Sequence, residues 1–325
     1  NNPATGHSSV TYTGNGGTQS IKGLGFEPDF VWIKQRNAAE NHFLTDSVRG
    51  AGLHLRSDAT TAESDSSATF TSFDADGFSL TGTGGAAPQV NDNNDSYVAW
   101  AWDAGSGSAA SNTDGSITST VKANPDYGFS ISTYTEPSGS FSFGHGLNVT
   151  PEMFVFKRRD GAENWIVWHK DFGTSTNNGL YLNSTSAQFA SGANWLTGID
   201  SDTISITSGQ VSGAGTKVCY AFHSVANYSS IGSYTGNGST SGPTVTTGFA
   251  PAWVMVKRSD STGNWYIWDT TRHPSNPNDS VLYADVSNAE SVSSSYKINV
   301  TATGFQIKHS GTDINASGGT FIYMA

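Results

Sequence analysis

The chain has 325 residues, which is room for two or three domains rather than one. Its formal net charge is -11 and only 13% of its residues are charged, which argues against a nonspecific nucleic-acid binder, because phosphate binding needs a concentrated basic surface. Its 37 glycines and 12% aromatic residues are typical of all-β proteins. A single cysteine excludes an intrachain disulfide.

A similar string occurs three times along the chain: PDFVWIK at 28–34, PEMFVFK at 151–157 and PAWVMVK at 251–257. A proline followed by alternating apolar residues indicates a strand that begins where the missing N–H is harmless. The lysine that ends each string, Lys34, Lys157 or Lys257, is predicted to return the chain to solvent. Eight residues later comes a ring in every copy, His42, Trp165 or Trp265.

Further strings keep nearly the same order around each proline strand. They are a turn before it (YTGNG at 12–16 and 234–238, YTEPSG at 134–139), an alternating strand after it (DGFSL at 76–80, DTISI at 202–206, TGFQI at 303–307) and a closing strand (YVAWAW at 97–102, KVCYAF at 217–222, FIYMA at 321–325). Such order at a fixed spacing indicates tandem copies of about 100 residues.

Short strands between Gly, Asn, Asp and Ser turns, without a sustained helical period, predict an all-β fold of about three tandem β-sandwich, jelly-roll-like repeats. The predicted repeats are 1–104, 127–226 and 227–325, and residues 105–126 form a Gly/Ser-rich linker in which part of the chain could still be strand. We expect the natural chain to continue at both ends, because its last strand ends near the position that matches Trp102 and Phe222.

No nucleophile elbow, phosphate loop, HExxH string or cysteine pair is present, so we expect no enzymatic activity. A glycosidase needs two carboxylates across one cleft, and no spacing selects such a pair. We expect no cofactor, with calcium as the one candidate, because Asp74, Asp76, Asp92 and Asp95 offer oxygen ligands in loops. The alternative is that these four are turn residues.

Tryptophans are the remaining candidates for a site, because a ring with a polar edge is how many proteins stack on sugars. WIVW at 165–168 and WYIW at 265–268 place two rings three residues apart, and these would point to opposite faces of a strand. The ligand-binding candidates are Trp168 and Trp268, with Trp195 in the loop string GANWLTG. The alternative is that all three lie in the core or between copies.

The strings YTGNG, GLGFEPDFVWIKQR (23–36), DSVRG (46–50), DGFSL and YVAWAWDAG (97–105) resemble a repeated β-rich domain found in virion and tail-fibre proteins of marine bacteriophages, including cyanophages. The first copy matches best and the middle copy has diverged most. These motifs are structural, and no catalytic residue comes with the resemblance.

The resemblance implies a virion structural protein located in an extracellular appendage such as a tail fibre. It also implies a homo-oligomer, a trimer by analogy with fibre proteins, which contacts other virion proteins and attaches to a host surface glycan or protein. We expect no membrane insertion, since no apolar run is about 18 residues long. Two alternatives stay open: a secreted or cell-surface protein that binds or cleaves carbohydrate, and a purely architectural filament subunit.

Overall fold

The fold is all-β, as predicted. In a computed structural model of the chain, 45% of the residues lie in strands and 2% in helices. The structure describes residues 6–82, 90–172, 177–292 and 295–325. The strands of these residues form antiparallel sheets that come in pairs, a larger sheet with a smaller one, and we refer to the three pairs as unit 1, unit 2 and unit 3.

The strands of unit 1 are β1 (His7–Thr13), β2 (Gln19–Lys22), β3 (Phe30–Gln35), β4 (Phe43–Asp46), β5 (Leu53–Leu55), β6 (Ser64–Asp65), β7 (Phe70–Asp74), β8 (Gly77–Leu80) and β9 (Ser96–Trp102). Those of unit 2 are β10 (Ala110–Asn112), β11 (Ser119–Asn124), β12 (Phe129–Glu136), β13 (Ser140–Gly144), β14 (Met153–Arg158), β15 (Ile166–His169), β16 (Asn178–Tyr181), β17 (Phe189–Ala190), β18 (Leu196–Ile199), β19 (Thr203–Thr207) and β20 (Gly215–Phe222). A short 3₁₀ helix, η1, lies at Lys170–Phe172.

Unit 3 contains β21 (Ile231–Thr235), β22 (Thr244–Thr246), β23 (Trp253–Arg258), β24 (Trp265–Asp269), β25 (Ser280–Tyr283), β26 (Ser291–Val292), β27 (Ile298–Thr301), β28 (Gly304–Ile307) and β29 (Thr320–Met324), with one helical turn, α1, at Thr312–Asn315. Across the described residues, no helix is long and apolar enough to span a membrane.

The three units share one strand order. The larger sheets run β1-β9-β3-β4-β5-β6, β12-β20-β14-β15-β16-β17 and β21-β29-β23-β24-β25-β26, and the smaller sheets run β2-β8-β7, β13-β19-β18 and β22-β28-β27. The proline strand therefore lies in the middle of each larger sheet, between the closing strand and the strand that follows it. Strands buried on both faces are expected to be continuously apolar, and the first four residues of each proline strand are.

Each larger sheet is covered on both faces. In unit 1, Val31 and Ile33 of β3 pack with Phe78 of the smaller sheet in one apolar cluster. Trp32, on the opposite face of β3, belongs to a different cluster that also contains Met255 of unit 3 and many residues of unit 2. We call this shared cluster the axial core. A cavity of only about 30 Å³ lies inside it, lined by side chains from all three units.

The segment 105–126, predicted as a linker, carries two strands that extend the larger sheet of unit 2. β11 pairs antiparallel with β12, and β10 pairs with β11. The ammonium of Lys122 on β11 also reaches the carboxylate of Asp29 in unit 1, at 2.6 Å. The Gly/Ser composition gave little sign of these two strands, because partly exposed strands near the edge of a sheet need few apolar residues.

Candidate functional site

The three units close into a ring through equivalent main-chain bonds. The N–H of Glu63 in unit 1 donates to the carbonyl of Arg159 in unit 2 (2.8 Å), and the N–H of Gln188 in unit 2 donates to Ser259 in unit 3 (2.8 Å). The third bond returns to the start: Glu290 N–H of unit 3 donates to the carbonyl of Arg36 in unit 1 (2.7 Å). Each unit thus contacts both others, in an approximately threefold arrangement.

The aromatic or imidazole side chain eight residues after each repeated lysine makes a second set of hydrogen bonds between neighbouring units. The indole N–H of Trp165 donates to the carbonyl of Arg56 in unit 1 (2.7 Å), and that of Trp265 donates to Tyr181 in unit 2 (3.0 Å). In unit 1 the position is held by His42, whose Nε2 lies 2.8 Å from the carbonyl of Tyr283 in unit 3. The spacing was visible in the sequence, whereas its role required the neighbouring unit.

His42 is held as a neutral donor. The indole N–H of Trp32 donates to its Nδ1 (2.8 Å), so the proton of the neutral ring lies on Nε2, which faces the carbonyl of Tyr283. Burial lowers the pKa of His42 to about 3, and the neighbouring Lys34 acts in the same direction. His42 therefore takes the place of a tryptophan as a hydrogen-bond donor between units.

The joint between units 1 and 2 contains a buried ion network. Arg49 is paired with Asp46 and with Glu63 (2.8 Å), and Glu63 is also paired with Arg159 of unit 2 (2.8 Å). The hydroxyl of Tyr220 from unit 2 donates to the carboxylate of Asp46 (2.7 Å). Burial alone would lower the pKa of Arg49, but Asp46, Tyr220 and Glu63 outweigh it, and its pKa is raised.

The joint between units 3 and 1 repeats this network. Arg272 is paired with Asp269 and with Glu290 (3.1 Å), and Glu290 is also paired with Arg36 of unit 1 (2.8 Å). Trp100 of unit 1 stands where Tyr220 stands in the other joint, and its indole N–H donates to the carboxylate of Asp269 (2.9 Å). The guanidinium of Arg272 also lies over the Trp100 ring, 5.7 Å from its centre.

The joint between units 2 and 3 lacks these charges at the matching positions. Counted from the prolines, His169 stands in place of the aspartate, Phe172 in place of the first arginine and Ser259 in place of the second. Burial lowers the pKa of His169 to about 4, so the ring is neutral near pH 7. Two joints with this ion network and one joint without it therefore close the ring.

The repeated lysines were predicted to reach solvent, and this was wrong: Lys34, Lys157 and Lys257 are all fully buried. Main-chain carbonyls replace water around each ammonium. Lys157 Nζ donates to the carbonyl of Thr60 in unit 1 (3.2 Å), and Lys257 Nζ donates to that of Thr185 in unit 2 (3.3 Å). Burial lowers the pKa of all three lysines to about 8. Lys157 and Lys257 therefore lie inside the joints, whereas Lys34 Nζ donates to the carbonyls of Gln35 and Ala38 in its own unit.

A cavity of about 470 Å³ lies where the closing strands β9, β20 and β29 end. Trp102, Phe222 and Trp253, one from each unit, are among the side chains that line it. His7 also lines it, and burial lowers the pKa of its ring to about 4. The shared lining shows that the units also meet at this end of the axial core.

The three candidate ligand-binding tryptophans are buried. Trp195 and Trp268 are fully buried and Trp168 is 9% exposed, so none presents a ring face to solvent. Trp195 contacts the rings of Phe154 and Phe156 inside unit 2. The rings of each i, i+3 pair do point to opposite faces. Trp165 and Trp265 meet the neighbouring unit, whereas Trp168 and Trp268 pack inside their own units.

The four candidate calcium ligands lie in two separate segments of unit 1, and three of their carboxylates accept hydrogen bonds from nearby residues. The carboxylate of Asp74 accepts bonds from Ser72 and Ser79, and that of Asp76 accepts the N–H groups of Gly23 and Gly25. Asp95 accepts a bond from the side chain of Asn37, and Asp92 lies in the same loop. Within the described ranges, no three His, Cys, Asp or Glu side chains are grouped so that they could hold a metal ion.

The chain belongs to the family described as DUF7483, a domain of unknown function, whose model matches residues 2–325. That single match takes in all three units. Comparison with curated proteins and with solved structures gave no match. The arrangement of the described residues is therefore the main source for a functional conclusion.

Proposed function

We propose that the chain is a non-enzymatic structural unit of an extracellular assembly and, following the resemblance of its motifs, a component of a phage virion appendage such as a tail fibre. The observation that carries this proposal is where the chemically distinctive groups lie. The ion pairs Asp46–Arg49 and Asp269–Arg272 are buried in joints between units, and Lys157 and Lys257, whose pKa is lowered, donate hydrogen bonds across joints. Perturbed pKa values often mark active sites, but buried ion networks that hold a structure together perturb them too.

The ring suits an appendage because it supplies an approximately threefold platform from one chain. The three units meet through the axial core and two ionic joints, so each is held against the other two. We propose further that such platforms self-associate and contact other virion proteins, and that their loops touch a host glycan or protein. Weak single contacts to a host would gain strength from the number of copies on a particle.

A purely architectural subunit is the second candidate, because one observation favours it. Trp168, Trp195 and Trp268 were the sequence-based reason to expect a sugar-stacking surface, and all three are buried. The same burial leaves the secreted carbohydrate-binding alternative without its candidate residues.

Immunogold electron microscopy of virus particles from the source culture tests the proposal, with antibodies against the purified chain and serum depleted on that chain as the control. We expect gold on the appendages of particles. Gold on cell envelopes, or protein in the medium without particle labelling, would contradict a virion role. Binding of the labelled protein to intact host cells then separates attachment from architecture.

A further inference from the structure

The outer edge of β1, the end strand of the larger sheet of unit 1, has no paired strand among the described residues. The hydroxyl of Thr271 in unit 3 donates to the carbonyl of Ser9 there (3.4 Å). Gly6 accepts a bond from Asp103 N–H (3.0 Å), and Gly14 N–H donates to Asp95 (2.8 Å), at the two ends of the β1–β9 ladder. Because antiparallel bonds alternate, the main-chain groups of Ser9 and Thr11 point away from β9.

The matching edge in unit 2 is covered by the chain itself. There β12 takes the place of β1, and its outward residues Ile131 and Thr133 are opposite Lys122 and Thr120 of β11. The consequence is seen in burial. Ile131 and Ser132 are at most 1% exposed, whereas Ser9 and Val10, which match them on β1, are only half-buried.

β1 also lacks the devices that keep sheet edges from pairing. Natural edge strands carry lysines, prolines or bulges. The sequence of β1, HSSVTYT, has no proline and no lysine, arginine or carboxylate, and its ladder with β9 has no shift of register. The buried Oγ of Ser9, on the same strand, has no hydrogen-bond partner among the described residues. These features together fit an edge that is paired in the assembled state.

We propose that β1 receives an extended strand from a partner protein, laid antiparallel as β11 lies on β12. This deepens the structural role and rests on the proposed function, since it names the kind of contact by which the unit joins its assembly. Main-chain bonds supply the affinity in such strand addition, and side chains supply the selectivity.

The chemistry of the partner strand follows from the neighbouring unit. Beside β12, Lys122 of the added strand is matched by Asp29 of unit 1. Counted from the prolines, the residue of unit 3 that matches Asp29 is Ala252. The partner strand therefore combines small and polar residues, as β11 (STVKAN) does, and is uncharged at the position of Lys122.

A fluorescein-labelled peptide with the sequence of residues 115–126 and the substitution Lys122→Ala is the probe. The β12 edge stays closed to it, because the tethered β11 acts at a high effective concentration. We expect saturable binding to the intact protein by fluorescence anisotropy. N-methylation at peptide position 122, whose N–H faces β1, should weaken binding at least about tenfold, whereas N-methylation at position 121, which faces away, should not.

Two protein variants complete the test. Thr11→Pro removes the outward N–H at a position where an edge strand tolerates proline, and it should also weaken binding at least about tenfold. Thr11→Val keeps that N–H and is the matched control. If the peptide does not bind, or if both N-methyl peptides bind alike, strand addition at β1 is wrong. That failure would leave the particle labelling unaffected, so the two proposals fail separately.

Discussion

Replacing Arg272 by methionine should destabilise the joint between units 3 and 1 strongly. The side chain of Arg272 is fully buried and bonds three acceptors: the carboxylates of Asp269 and Glu290 and, at 3.0 Å, the carbonyl of Ile267. Methionine fills much of the same volume but donates no bond. The substitution therefore leaves the fully buried carboxylate of Asp269 with Trp100 N–H and the N–H of residue 272 as its remaining donors.

The loss of stability in Arg272→Met comes from the carboxylate of Asp269, which stays buried without its cation. Removing one partner of a buried ion pair typically costs about 3–5 kcal/mol, because the other charge stays desolvated. An added Asp269→Asn substitution removes that charge, so the double variant should lose less than the sum of the two single variants, and less than Arg272→Met alone. At the joint between units 2 and 3, His169 and Phe172 hold the matching positions, so that joint closes without this ion pair.

Urea unfolding, followed by tryptophan fluorescence at pH 7, measures both effects. Lys170→Met is the matched control, because Lys170 forms a partly exposed ion pair with Glu152, and such pairs contribute about 0–1 kcal/mol. A loss below about 1 kcal/mol in Arg272→Met, or a double variant that is less stable than this single variant, would refute the reasoning.

Two further predictions concern buried titratable groups. Burial lowers the pKa of six histidines, and it does so most for four of them, to about 3 for His42 and about 4 for His7, His54 and His169. Between those values and 6.5 the unfolded chain binds more protons, so stability should fall as pH drops from 6.5 towards 4, by roughly 1–2 kcal/mol per histidine at pH 5. Burial raises the pKa of Asp285 to about 6 and also raises the pKa of Asp29 and Asp58, which opposes this loss. An unchanged urea midpoint at pH 7 and pH 5 would contradict the prediction. Burial also raises the pKa of Cys219, so its thiol should react with Ellman's reagent only after unfolding, and fast reaction of the native protein would show that unit 2 is open.

The sequence was informative where one copy could be compared with the next. The proline strands, the turn strings and the closing strands all follow from period-two patterns that a single chain displays. The i, i+3 tryptophans were correctly placed on opposite faces of a strand.

What the sequence could not show was the environment supplied by other units. In the sequence, each repeated lysine has the position of a solvent-exposed residue at the end of a strand. Lys157 is buried because main-chain carbonyls, such as that of Thr60 in unit 1, accept bonds from its ammonium. The network around Arg49 draws residues from positions 46, 63, 159 and 220, and no local pattern connects these. Trp168 and Trp268 were ligand-binding candidates because the period of a strand gives the direction of a side chain but not what covers it.

Closure of the ring within one chain is most directly tested by a disulfide across the joint that joins units 1 and 3. The N–H of Glu290 and the carbonyl of Arg36 are 2.7 Å apart, which brings the two backbones close enough for cysteines to pair. In a Cys219→Ser background, Arg36→Cys with Glu290→Cys should oxidise to an intrachain disulfide in the native monomer, seen by peptide mapping under non-reducing conditions. Free thiols, or disulfides formed only between chains, would contradict a closed single-chain ring.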